Sequence, residues 1–190
     1  MSSSVSSALT FFDASANGKM ERIPRSQAFQ RLLSLPNVCK ITLFNSQRDL
    51  PLSLPHVRKV VSFLLGDLKI STDEIIIHFV TESKICNLHK EYFNDPSPTD
   101  CITFPIELPK HKKSAFHILG EAFICPKTAI RYAKHHTINP YEELYRYIIH
   151  CLLHLIGYND IQTTDRAQMK RKERSCLKKL CLAGEAVKNR

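Results

Sequence analysis

The chain has 190 residues, of which 43% are hydrophobic, which suits one domain with a core and a short extension. The formal net charge of +9 favours a polyanionic partner, most simply nucleic acid, and a solvated basic surface explains it equally well. No apolar run reaches the roughly 18 residues of a membrane span. Seven scattered cysteines without a CxxC pair favour a reducing, cytoplasmic compartment in which the chain has no disulfides.

The first part of the chain is expected to differ from the rest. Residues 1–39 have weak periodicity and many small polar side chains, and their Ser-rich start lacks the pattern of a secretory signal. We predict a poorly ordered extension over residues 1–39, with at most one helix, near Arg25 to Leu33. A single domain over residues 40–190 would then carry the function.

From residue 41 onward, strand and helix patterns interleave. Four apolar or β-branched runs predict strands, at residues 41–44, 74–80, 101–106 and 118–125. Five stretches with helical spacing of apolar residues predict helices, at residues 55–68, 82–93, 126–135, 140–156 and 163–182. This order predicts an α+β domain in which a small, mostly four-stranded sheet packs against about five helices.

The helix at residues 140–156 carries the strongest functional signal. Asn139 is a favoured N-cap, Pro140 fits the first helical position, and Gly157 supplies the left-handed residue that ends many helices. The helix is apolar almost all round, with one polar gap that holds both His150 and His154. The pattern therefore predicts a buried helix that presents two imidazoles on one face.

Two imidazoles four residues apart lie one helical turn apart and can reach one ion. Asp160 follows the glycine stop and can bring a carboxylate oxygen to the same ion, although it could instead cap a following turn. We predict one Zn²⁺ per chain, bound by His150, His154 and Asp160, with an open position for water as the hydrolytic group.

The spacing His-x3-His-x2-Gly-x2-Asp matches three fixed features of the metzincin pattern H-E-x-x-H-x-x-G-x-x-H, so we describe the helix as metzincin-like. Cys151 stands where a metalloprotease has its glutamate general base. Asp160 stands where the third histidine would be. The missing glutamate argues against peptide hydrolysis and favours another metal-dependent hydrolase.

Three segments resemble one known family. HCLLHLIGYND at residues 150–160 resembles the H-G-x-L-H-L-x-G-Y-D-H signature of the YbeY endoribonucleases. LHKEYFNDPSPTDCITFP at residues 88–105 and ILGEAFIC at residues 118–125 are similar to two further family segments, in the same order. The resemblance extends from about Ile41 to Leu182.

The resemblance implies a compact α+β fold with zinc in a cleft. It also implies cleavage of single-stranded RNA in 3′-end maturation of 16S ribosomal RNA and in ribosome quality control, with the ribosome as a partner. Two alternatives stay open: a ribosome-associated, non-catalytic protein with a structural metal, and another metallohydrolase such as a protease.

Three positions depart from the family pattern. Asp160 replaces the third histidine; it is still a sound zinc ligand, although it adds negative charge. Phe93 replaces an arginine that would be a natural phosphate clamp. Glu121 replaces an aspartate and lies in an apolar strand, where it is a candidate to orient a zinc-bound histidine.

Other cations are then candidates for contact with RNA. Arg146 lies on the histidine face of its helix and is a candidate helper in catalysis; its alternative role is a salt bridge with Glu142 or Glu143. Further candidates for RNA binding, with solvated helix surface as their alternative, are Lys84, Lys90 and Arg131. The basic last helix could follow an RNA backbone or simply face solvent.

Overall fold

The computed structural model describes residues 12–14, 20–22, 39–108 and 116–183. Strands β1 (Phe12–Ala14) and β2 (Met20–Arg22) pair antiparallel in a unit of their own, which the sequence analysis did not predict. The helix predicted near residues 25–33 lies outside the described residues. Poor order over residues 1–39 stays a prediction.

A four-stranded mixed sheet and five helices make up the described residues from 39 onward. The strands are β3 (Lys40–Asn45), β4 (Glu74–Phe79), β5 (Cys101–Pro105) and β6 (Ile118–Ile124). The helices are α1 (Leu54–Asp67), α2 (Glu82–Phe93), α3 (Pro126–His136), α4 (Pro140–Leu155) and α5 (Thr163–Leu182). The predicted α+β class, sheet and helices are confirmed.

The sheet has the order β3-β4-β6-β5. β3, β4 and β6 are parallel, whereas β5 runs antiparallel to β6 at the edge. The β-branched run of β4 explains its central place, because such residues pack well on a pleated surface. Parallel neighbours need long crossover connections, and α1 provides the one between β3 and β4.

The two faces of the sheet are covered differently. On one face, Ile75 and Ile77 join a large core with apolar residues of α1, α4 and α5. On the other face, Ile85 and Leu88 of α2 pack with Ile102 of β5 in a smaller core. α4 is therefore buried deep in the larger core, as its nearly continuous apolar surface predicts.

Both ends of α4 follow the sequence prediction. The Asn139 side chain accepts a hydrogen bond from the Tyr141 N–H at 2.9 Å. Gly157 has φ +94°, a left-handed conformation that glycine adopts without strain. The Tyr158 N–H then donates to the Leu153 carbonyl at 3.0 Å, so the chain folds back beside the last turn of α4.

Gly120 of β6 allows a close approach of the main chain to two neighbouring elements. It has φ +154°, and an added Cβ would lie 2.5 Å from the Phe104 carbonyl oxygen and 2.7 Å from Leu155 Cδ2. A side chain at this position would therefore push β6 away from β5 and from α4.

All seven cysteines carry free thiols. Within the part of the chain that the structure describes, none of the helices combines the length and the apolar character that crossing a bilayer requires.

Candidate metal centre

The structure brings the three predicted ligands together. The Nε2 atoms of His150 and His154 lie 2.9 Å apart, with the rings perpendicular to each other. Asp160 Oδ2 lies 3.9 Å from His150 Nε2, and the three potential ligand atoms all lie within 4.8 Å of one another. Ligands at about 2.05 Å from a tetrahedral zinc are about 3.3 Å apart. The Asp160 carboxylate lies somewhat beyond that separation, on a half-exposed side chain.

The outer nitrogen of each ring already has an acceptor. His154 Nδ1 donates to the Tyr158 carbonyl oxygen at 3.0 Å, and His150 Nδ1 donates to Glu173 Oε1 at 2.6 Å. In each neutral ring the lone pair is then on Nε2. Two lone pairs that face each other at 2.9 Å repel unless a cation lies between them. The two rings therefore fit a metal ion, with which a proton competes for the same lone pairs.

The two histidines differ in proton affinity. Burial lowers the pKa of His154, and the nearby charge of His150 lowers it further. Burial also acts to lower the pKa of His150, but the hydrogen bond and the charge of Glu173, with smaller contributions from Asp100 and Asp160, outweigh burial and raise it. His150 is thus the ring that takes up a proton first. Since a ligating imidazole must be neutral, protons and metal compete at His150.

Glu173 was missed by the sequence analysis. It lies on α5 within the apolar stripe that packs toward the core, and its side chain is only 10% exposed. The sequence could have indicated a role for Glu173, because a carboxylate on an apolar helix face is buried and needs a polar partner. Glu121, the candidate from sequence for orienting a histidine, instead contacts His78 Nε2 at 3.5 Å, so that assignment was wrong.

The loop that carries Asp160 is held by its neighbours. The Asn159 side chain accepts hydrogen bonds from the main-chain N–H groups of Asp160, at 2.7 Å, and Ile161, at 3.0 Å. Arg166 Nε donates to the Asp160 carbonyl oxygen at 3.1 Å. The N-cap of α5 is Gln162, so Asp160 does not cap that helix.

Two clefts meet at His150. The first, of about 190 Å³, contains charged side chains of both signs: Asp100, Glu143, Arg146, Asp160, Arg166, Lys170 and Glu173. The second, of about 270 Å³, is lined by His89, Phe93, Thr99, Cys101, Ile102, Thr103, His150 and His154. We call them the charged cleft and the aromatic cleft. Neither lysine nor arginine is among the described residues that line the aromatic cleft.

Arg146 forms the salt bridge considered from sequence, whereas its role as a helper in catalysis stays a prediction. It lies on the histidine face of α4 and lines the charged cleft, and its Nε lies 3.0 Å from Glu143 Oε2. Burial raises the pKa of Glu143, and the charge of Arg146 acts against that increase. Part of the Arg146 charge is therefore balanced within the protein.

The three cations predicted to bind RNA lie elsewhere. Arg131 forms an ion pair with Glu82. Lys84 and Lys90 are exposed on α2. None of the three lines the charged or the aromatic cleft, and a role in RNA binding stays a prediction.

Fold and site together define an α+β protein with a His-His-Asp group that could hold a metal ion. The sequence model of the family described as "Endoribonuclease YbeY" matches residues 44–181, and the chain belongs to this family. The endoribonuclease YbeY of Protochlamydia amoebophila is 45% identical over 133 residues, which cover 70% of this chain and 87% of the relative. The endoribonuclease YbeY of Chlamydia caviae is 41% identical over 141 residues, which cover 73% of this chain and 89% of the relative.

A solved structure shares the fold. The solution structure of TM1509 from Thermotoga maritima matches with a TM-score of 0.52 at 20% sequence identity, covering 73% of this chain and 87% of that protein.

Proposed function

We propose that this chain is a zinc-dependent endoribonuclease that cleaves single-stranded RNA. Membership of the family supports RNA as the substrate, because the curated relatives carry the name endoribonuclease. The observation that carries the metal dependence is the pair of Nε2 atoms 2.9 Å apart, each on a ring whose Nδ1 is bonded to an acceptor.

His150, His154 and Asp160 would hold one zinc ion, and the remaining position would be open to solvent and substrate. When bound, zinc supplies Lewis-acid chemistry: it lowers the pKa of water and offsets the negative charge that develops on phosphate oxygens. A water molecule or the RNA 2′-OH could be the attacking nucleophile.

Other residues of the site would orient the ligands and the substrate. Glu173 fixes the His150 ring and makes its Nε2 a stronger electron-pair donor to a metal ion. Arg166 holds the main chain at Asp160. Arg146 and Lys170 line the charged cleft and would bind phosphate oxygens beside the histidines. These two cations would take over the clamping role expected of an arginine at position 93.

We further propose that the substrate is the 3′ region of small-subunit ribosomal RNA, in the cytoplasm, and that the activity serves ribosome maturation and quality control. The net charge of +9 supports a polyanionic partner. Residues 40–190 would form the catalytic domain, with residues 1–39 as an extension.

The test compares His154→Ala with the matched control His135→Ala, a histidine that is exposed on α3. Purified proteins are analysed for bound metal by elemental analysis, for folding by circular dichroism, and for cleavage of single-stranded and double-stranded RNA. We expect His154→Ala to lose metal and cleavage but to keep its fold, and His135→Ala to behave as wild type. Cleavage of casein would favour a protease instead.

Two results would overturn the proposal. Normal RNA cleavage by His154→Ala in the presence of a chelator would refute metal dependence. Ribosome association that survives this substitution, with unchanged ribosomal RNA ends in cells, would favour the non-catalytic alternative.

A further inference from the structure

The two clefts that meet at His150 offer a nucleic acid different chemistry. The charged cleft contains Arg146, Arg166 and Lys170, which can balance phosphate charge. The aromatic cleft combines the rings of His89 and Phe93 with the edge strand β5. Because its described lining has no lysine or arginine, that cleft suits an uncharged flat group better than a phosphate.

Phe93 presents its ring to this cleft from a fixed position. It is the last residue of α2, and 58% of its surface is exposed. Asn94 then ends the helix in a left-handed conformation, with φ +58° and its N–H donated to the Lys90 carbonyl. The main chain at Phe93 is thus held at a defined helix end.

His89 supports the Phe93 ring from one turn earlier. The two ring centroids lie 5.5 Å apart at 49°. His89 Nδ1 donates to the Ser97 carbonyl oxygen at 2.9 Å, which fixes the imidazole against the loop after α2. A supported and exposed ring at the edge of a cleft loses little conformational entropy when a second flat group stacks on it.

We propose that Phe93 is the base-stacking residue of the active site and receives the nucleobase next to the scissile phosphate, whose backbone continues into the charged cleft. This inference rests on the proposed function. Every nucleobase has a π-face, so such a contact tolerates any sequence but needs an unstacked, unpaired base. Phe93 would therefore select single-stranded substrates without reading their sequence.

The first test uses Phe93→Ala, Phe93→Tyr and the control Phe44→Ala, which removes an aromatic side chain of similar exposure on β3. Cleavage of a single-stranded RNA oligonucleotide is compared with cleavage of oligonucleotides that carry one abasic site on either side of the cleaved bond. We expect Phe93→Ala to lower kcat/KM by about 5- to 150-fold, the range for one base–aromatic stack. Phe93→Tyr and Phe44→Ala should stay within about twofold, since one keeps a stacking ring and the other leaves the cleft intact.

The abasic substrates separate stacking from a general structural effect. In wild type, removing the base at one of the two positions should lower kcat/KM about as much as Phe93→Ala does. Phe93→Ala should cleave that abasic substrate and the intact one with the same kcat/KM. Unchanged kcat/KM for Phe93→Ala, or losses that multiply for every abasic position, would overturn the inference.

A second readout does not depend on cleavage. The chain contains no tryptophan, so Phe93→Trp places a single tryptophan, which can be excited selectively over tyrosine, in the aromatic cleft. We expect an intact oligonucleotide to quench its fluorescence and the matching abasic one to leave it unchanged; equal responses would contradict stacking. If Phe93→Trp binds RNA with this signature while wild type does not cleave RNA, the proposed function fails and the stacking assignment stands.

Discussion

Replacing Glu173 with glutamine tests how the site is organised. Glu173 Oε1 lies 2.6 Å from His150 Nδ1, and its side chain is 10% exposed, so solvent screens this contact little. Glutamine keeps the volume and an acceptor oxygen but removes the charge. Carboxylates that orient a ligating histidine typically contribute about 10- to 100-fold to metal affinity. We expect the zinc Kd of Glu173→Gln to rise by that factor, which corresponds to a loss of about 1.4–2.7 kcal/mol in binding free energy.

The pH dependence of this effect sharpens the prediction. In wild type, Glu173 outweighs burial and raises the pKa of His150. In Glu173→Gln, burial acts with less opposition and the His150 pKa falls, so protons compete less with zinc. The difference in zinc affinity between the two proteins should therefore be largest near pH 8 and should shrink as the pH falls.

The assay is a competition titration with a chromophoric zinc chelator at several pH values. Glu121→Gln is the matched control, since Glu121 also contacts a histidine, His78, but at 3.5 Å and away from the candidate ligands. Its zinc affinity should match that of wild type. Unchanged affinity in Glu173→Gln at pH 8, or an equal loss in Glu121→Gln, would refute the role assigned to Glu173.

Two further predictions concern stability and pH. Gly120→Ala should reduce the free energy of unfolding, measured in urea, by about 1–3 kcal/mol, because its Cβ would overlap the Phe104 carbonyl oxygen. The control Gly66→Ala in α1, where nothing lies within 4 Å of the added Cβ, should be neutral or stabilising. Equal effects of the two substitutions would contradict the predicted overlap. The raised pKa of His150 predicts that the metal-free protein gains stability from this group below pH 6.5 and loses that gain as pH rises through the folded-state pKa. Zinc affinity should change in the opposite direction, and a pH-independent affinity would refute the competition.

Local patterns were enough to predict the strands and helices from residue 40 onward and the two histidines, but not β1 and β2. The helix at 140–156 was recognisable because its N-cap, its glycine stop and its apolar surface are set by neighbouring residues. The same local spacing placed His150, His154 and Asp160 together. The bounds of the predicted elements differed from the observed ones by at most one residue, within the variation expected where helix and strand ends fray.

Features that depend on packing between distant elements were not predicted. Glu173 is 23 residues from His150, and only the packing of α5 against α4 brings them into contact. Helical spacing could show that Glu173 lies on an apolar stripe, but not which polar group faces it. The division of the site into two clefts depends in the same way on how α2, β5 and α5 are arranged around His150.

The most direct test of the account is reconstitution of metal-stripped wild-type protein with zinc, followed by cleavage of a single-stranded RNA oligonucleotide. Cleavage should be absent without metal and should rise in proportion to added zinc up to one ion per chain, where it should level off. Full cleavage by the stripped protein, or zinc binding that leaves RNA intact, would contradict a catalytic metal at His150, His154 and Asp160.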